Sequence, residues 1–329
     1  MLVKQVITSC LIFLSLSVAA NEISDRPDYH APVGVMRDHI HQKGKIMTSY
    51  RFSRMYMDGN RNNRDNLTSD EINYMAKPKA MAIKMHMFGI MYGVTNKFNL
   101  TLMGGIAEKK MNIISGNKSS SMNNGGKLDT KINGIFQFYN NNDHRFQFNA
   151  GLSIPTGSIK DVKNNGDRLA YPMQMGSGTY DLLPGVSYSG FANDWSWGSQ
   201  FNGTFRLGRN SSGYTLGDIY NLTAWASRKL NNTFSISLRL DGKLIDEIDG
   251  KDRDINVMMS GQYMSAPMNP ELHDKKQIDA LIGLNFITPS GYFKNHRLAI
   301  EFGMPAYQRI DGPMLRGNYK FIFGWQKAF

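Results

Sequence analysis

The chain has 329 residues, of which 20% are charged, 41% hydrophobic and 11% aromatic, with a formal net charge of +11. A length of this order admits one large all-β domain or two smaller ones. The mean hydropathy of -0.39 argues against a bundle of membrane-spanning helices but not against a transmembrane barrel, whose strands alternate apolar and polar residues and average out as mildly polar. The basic residues are scattered rather than gathered into a patch, so nucleic acid is not an expected partner. A basic exterior against lipid phosphates, or a lumen biased toward anions, accounts better for the charge.

Residues 1–20 read as a secretory signal peptide. Met1 to Lys4 carry one positive charge, Val6 to Ala20 are apolar or small, and Val18-Ala19-Ala20 precede polar Asn21. The apolar centre is too short to span a bilayer. Cys10 is the only cysteine and lies ahead of most of the apolar run, which sets Ile7-Thr8-Ser9-Cys10 apart from a lipoprotein box. After cleavage the chain has no disulfide and no thiol ligand for a metal.

Residues 21–43 are expected to form an N-terminal periplasmic segment or a plug inside the lumen. They contain His30, His39 and His41, the last two sharing a face if the chain is extended. Imidazole and thioether are ligands suited to Cu(I), so these three histidines are the metal candidates, with methionines close by at Met47, Met55, Met57, Met85, Met87 and Met91. The competing reading treats Met81, Met85, Met87 and Met91, which share one phase, as lipid-facing or core filler. His86 lies in the opposite phase.

From residue 44 to 329 the expected fold is all-β: a transmembrane antiparallel up-and-down barrel of about twelve strands, each near the ten residues that a tilted strand needs to cross a bilayer. The predicted strands are 45–57, 81–94, 98–108, 131–140, 144–155, 179–190, 195–208, 220–230, 233–245, 277–288, 297–304 and 317–329. Their connections alternate between short turns rich in Asn, Asp, Gly or Pro, such as Asn141-Asn142-Asp143 and Asn231-Asn232, and longer stretches at 58–80, 109–130, 156–178, 209–219, 246–276 and 305–316. With the N-terminus in the periplasm, every short turn falls there and every long loop falls outside the cell.

Face assignment follows from the period of two. Phe146, Phe148, Ala150, Leu152 and Ile154 are expected to meet lipid, while Arg145, Gln147, Asn149 and Ser153 line the lumen. The same alternation turns Phe234, Ile236, Leu238 and Leu240 outward, and Trp195, Trp197, Phe201 and Phe205 likewise. The lumen-lining candidates are Arg145, Arg206, Arg239 and Asp241, with pairing across the lumen the expected use of their charges. The last strand carries Tyr319, Phe321, Phe323, Trp325 and Phe329 in one phase, broken only by Lys327. This ending resembles the C-terminal signature through which outer-membrane barrels engage the barrel-assembly machinery.

No catalytic arrangement is readable. His144 and His296 lie at predicted turns without a motif, and the Gly/Ser loops at 156–158 and 176–179 do not lead into helices, as a phosphate cradle requires. The acidic run 246–254 lacks the terminal Glu of an EF-hand and reads as a solvated loop. No enzyme activity and no cofactor are expected.

Three stretches together, His30-Ala31-Pro32-Val33-Gly34-Val35-Met36, Gly176-Ser177-Gly178-Thr179-Tyr180-Asp181-Leu182-Leu183-Pro184-Gly185, and Gly324-Trp325-Gln326 before Phe329, resemble a group of bacterial outer-membrane β-barrel transporters linked to the family named for the MetA pathway of phenol degradation. The resemblance implies an outer-membrane channel, with lipid as its surroundings and a small hydrophobic or aromatic solute as its cargo. The alternative is a barrel without transport activity, serving a structural or copper-responsive binding role.

Overall fold

The computed structural model describes residues 26–141, 143–288 and 290–329. The expected signal peptide, with Cys10, lies outside the described residues. The strands in chain order are β1 Ile46–Asn63, β2 Asp65–Leu67, β3 Ala76–Gly93, β4 Phe98–Ser115, β5 Lys118–Lys127, β6 Thr130–Asn140, β7 His144–Ile154 and β8 Tyr180–Leu182. They continue as β9 Gly185–Ala192, β10 Trp195–Leu207, β11 Tyr214–Thr215, β12 Ile219–Lys229, β13 Phe234–Ile245, β14 Asp249–Gly250, β15 Lys275–Ile287 and β16 His296–Ala328. Among the described residues there is no α-helix.

Eleven of these strands form a closed antiparallel ring. The ring runs β1, β3, β4, β6, β7, β9, β10, β12, β13, β15, β16 and back to β1. Each strand pairs with its neighbour in sequence, so the barrel has the up-and-down topology and no free edge. β16 reverses direction within itself. Arg297 to Ile310 pair with β15, and Ile310 to Ala328 pair with β1.

Burial alternates with the pleat. In β7, Phe146, Phe148 and Leu152 are exposed on the outside while Arg145, Gln147, Asn149 and Ser153 are buried inside. β13 repeats the pattern, with Ile236, Leu238 and Leu240 exposed against Ser235, Ser237, Arg239 and Asp241. An apolar exterior around a polar interior inverts the order of a soluble protein, and it suits a wall that has lipid as its outer solvent. Outward aromatics at the seam shield one another: Phe52 lies 6.5 Å from Phe321, and Tyr56 stacks on Tyr319 at 5.6 Å.

The strands on one side of the barrel are longer than the sequence pattern predicts. β1, β3 and β4 each have 18 residues, so the expected loops 58–80 and 109–130 are largely strand. β4 pairs with β6 only over Phe98–Met103, and its far half forms a hairpin with β5 through Gly116 and Asn117. β5 contains Ser119-Ser120-Ser121 and Asn123-Asn124, and it has no apolar phase because it stands beyond the wall with water available to it. The region 305–316 is likewise mostly strand, with the chain turning between Ile310 and Met314.

Three other long connections fold into a cap at this end. Ala170, Tyr171, Tyr214, Ile248, Ile255 and Met268 make a small apolar core, and burial pushes the Tyr171 phenol up to about 12. Beneath it, Leu169 and Met173 pack on Met81 and Met111 from the inner wall. Lys109 Nζ donates to the carbonyls of Pro172 (2.9 Å) and Gln174 (2.5 Å), holding the connection between β7 and β8 over the mouth.

Candidate functional site

The other end of the lumen is occupied by residues 26–43. This segment has no ladder of its own, so its backbone polar groups need partners elsewhere. The ring supplies them from several sides. Ser235 Oγ donates to the Pro27 carbonyl (3.0 Å), Ser196 Oγ to Asp28 (2.8 Å), Arg145 Nη2 to Tyr29 (3.2 Å) and Arg297 Nη2 to Ala31 (2.6 Å). Gln200 Nε2 donates to the Met36 carbonyl (2.8 Å), and the Gly34 amide donates to Glu301 Oε2 (2.5 Å).

Close approach to the wall relies on small residues. A Cβ on Gly324 would overlap Val33, and one on Gly93 would overlap the Gln42 carbonyl. Arg37 takes φ +64, a conformation unfavourable for a side-chain-bearing residue. Its guanidinium reaches Asn133 Oδ1 on β6 and Asn202 Oδ1 on β10, both at 2.7 Å. Those two charge-assisted bonds offset a strain of roughly 1–3 kcal/mol.

All four lumen candidates face inward, and each has a partner. Arg145 lies over the rings of Tyr29 (4.0 Å) and Phe191 (4.3 Å). Arg206 pairs with Asp181 at 2.5 Å. Arg239 contacts both Glu301 (2.8 Å) and Asp241 (3.2 Å), and Asp241 also meets Lys320 at 3.3 Å. Sequence reading missed Glu301, Arg297, Asp279 and Lys320. Charged residues in the inward phase of otherwise apolar strands were the available signal: Glu301 alternates with outward Ile300 and Phe302.

The candidate histidines come together within the segment. His30 Nδ1 lies 3.2 Å from His39 Nδ1, His39 Nδ1 lies 2.8 Å from Asp38 Oδ1, and Asp38 Oδ2 accepts from the Ala31 amide at 2.8 Å. His41 is next to them, its ring 5.0 Å from that of His39 and its Nε2 3.4 Å from Met47 Sδ. All three histidines are buried. A narrow cavity beside this group is lined by Met36, His39, Met47, Arg51, Met91 and Met103. His86 is elsewhere, bonded to Tyr50 Oη at 2.8 Å and packed near Phe52.

The methionine row therefore lies on the inner face. Met81 and Met91 are buried, in phase with Met85 and Met87, while Ile90 and Tyr92 in the other phase are exposed. Of the two placements expected for this row, lipid-facing or core filler, the structure has the core one. Equal spacing places these residues on one face, but hydrophobicity cannot say which, because a packed lumen accepts thioethers as readily as lipid does.

A closed antiparallel ring with an apolar exterior, a polar interior and an internal segment is the fold of an outer-membrane β-barrel. Among solved structures, the chain is similar to an outer-membrane channel from Pseudomonas putida F1, with a TM-score of 0.61 at 10% identity, covering 94% of this chain and 100% of that one. More distant likenesses include the KdgM porin (TM-score 0.43, 12% identity, 86% of this chain and 99% of that chain) and a TodX monoaromatic hydrocarbon channel variant (TM-score 0.42, 8% identity, 88% and 91%). No protein-family model matches the chain, and no curated protein matches it. The link to the phenol-degradation family accordingly stays a resemblance.

Proposed function

We propose that this protein is an outer-membrane channel that passes a small solute, with residues 26–43 as a plug inside the lumen. In this reading β16 supplies two crossings and the barrel has twelve. The short turns then face the periplasm, the capped end faces outward, and the strand ending at Phe329 engages the assembly machinery. The proposed topology puts lipid against the exposed apolar face and assigns the chain no enzymatic role. The observation that carries the reading is how the internal segment is held: polar side chains grip its backbone, instead of a continuous apolar core. Water can replace such hydrogen bonds, while the segment's apolar contacts are small separate groups, Ala31 and Val35 on Trp225 and Val33 on Ala299 and Ile322, that a shift has to open.

The test is conductance in planar bilayers. Deleting residues 26–43 should raise single-channel conductance several-fold. Gly324→Leu, which forces Val33 off the wall while leaving the ring intact, should raise it in the same direction. Unchanged conductance in both variants would refute the plug. Swelling of liposomes by sugars, aromatic acids and amino acids tests passage itself. Exclusion of all three by both intact and deleted protein would favour the second reading, a sealed structural or binding barrel, which the cap over the other mouth supports.

A further inference from the structure

We propose that His30, Asp38 and His39, with the adjoining His41–Met47 pair, form a binding site for one soft monovalent metal ion, Cu(I) or its analogue Ag(I). The ligand atoms of His30, Asp38 and His39 lie within 4.8 Å of one another, and all three residues are buried. The two Nδ1 atoms face each other at 3.2 Å. Two nitrogens bound to one tetrahedral ion at about 2.0–2.1 Å are about 3.3–3.4 Å apart, so the pair is spaced as ligands would be. Without an ion, the His39 Nδ1 proton is directed to Asp38 Oδ1 at 2.8 Å or to His30 Nδ1 at 3.2 Å, and a bound ion would take the place of that proton. His39 Nε2 is also buried and has no hydrogen-bond partner among the described residues.

The surroundings select the ion. The cavity beside His39 is lined by Met36, Met47, Met91 and Met103, Met47 Sδ lies 3.4 Å from His41 Nε2, and thioether with imidazole is a donor set for Cu(I) rather than for a hard cation. Charge points the same way. Asp38 neutralises one positive charge, while Arg51 lines the cavity and Arg297 binds the Ala31 carbonyl. A divalent ion would add an unbalanced charge close to these guanidinium groups. Asp38 also holds the Ala31 amide, so the carboxylate that completes the site fixes the turn that presents His30. The inference concerns equilibrium binding and holds whether or not the barrel conducts.

The experiment uses the full-length chain purified in detergent, titrated with Ag(I), with Cu(I) under a competing chelator, and with Zn(II). One equivalent of Ag(I) or Cu(I) should bind, and the double substitution His30→Ala, His39→Ala should weaken it at least tenfold. Met47→Leu preserves side-chain volume and guards against a folding artefact; it should weaken Cu(I) while the barrel keeps its resistance to unfolding in detergent. X-ray absorption of the copper-loaded wild type should show nitrogen and sulfur scatterers. Equal affinity in wild type and the double variant, tighter binding of Zn(II) than of Cu(I), or a shell without nitrogen would each overturn the proposal.

Discussion

The Arg239–Glu301 pair is the most exposing test of how the lumen is held together. Arg239 Nε donates to Glu301 Oε1 at 2.8 Å and Nη2 to Oε2 at 3.3 Å, while Nη1 reaches Thr223 Oγ1 at 3.3 Å. The two side chains are 3% and 1% exposed. Replacing Arg239 with Met keeps the volume of the stem but leaves the Glu301 carboxylate buried, with the Gly34 amide as its remaining donor among these contacts. Stranding one member of a buried pair costs about 3–5 kcal/mol. Asp241 suffers less, because Lys320 still faces it at 3.3 Å. The double substitution Arg239→Met, Glu301→Gln removes the stranded charge and retains an acceptor for Gly34, so its cost should fall to about 1–2 kcal/mol, the net value of one or two lost hydrogen bonds. Urea unfolding from lipid vesicles, followed by tryptophan fluorescence, measures both. A cost below about 1 kcal/mol for Arg239→Met, or a double variant no more stable than the single, would refute the view that this pair is a buried, mutually dependent unit.

Two further outcomes follow from the outer face and the cap. Leu238 is 64% exposed on the outside of β13, and Leu238→Arg should destabilise the barrel in vesicles by about 2–4 kcal/mol if that face meets the bilayer midplane; an effect near zero would place it in water. His273 lies against the edge of the Tyr171 ring at 5.5 Å, and burial pushes its imidazole down to about 4. Because the unfolded histidine titrates near 6.5, its contribution is complete above that pH and is lost as pH falls from about 6.5 to about 4, when the unfolded chain takes up the proton first. Protease cleavage within 246–274 should accelerate over that window, and His273→Gln should flatten the acceleration; an identical pH profile in the variant would rule out His273 as its source.

Much of the ring was legible in the sequence because its determinants are local. A wall between an apolar surround and a polar lumen repeats its environment every two residues, so His144 through Ile154 declare both faces in the eleven residues of β7. Turn chemistry marks the ends in the same local way at 141–143 and 231–232. The pattern weakens where the environment stops alternating, which is why the upper parts of β1, β3 and β4 and all of β5 read as loops. Water on both sides leaves no apolar phase to detect.

The sequence alone determined that strands alternate, where most of them lie, which side chains share a face and that three histidines stand close in the N-terminal segment. Tertiary structure alone decided what those faces meet. Ring closure turns the methionine phase inward, brings Gly34 to Glu301 across 267 residues of chain, and sets His39 in one cavity with Met47 of β1, Met91 of β3 and Met103 of β4. The physical reason is that periodicity encodes the relative direction of neighbouring side chains, whereas the identity of the medium or partner on each side is set by contacts between residues far apart in the chain.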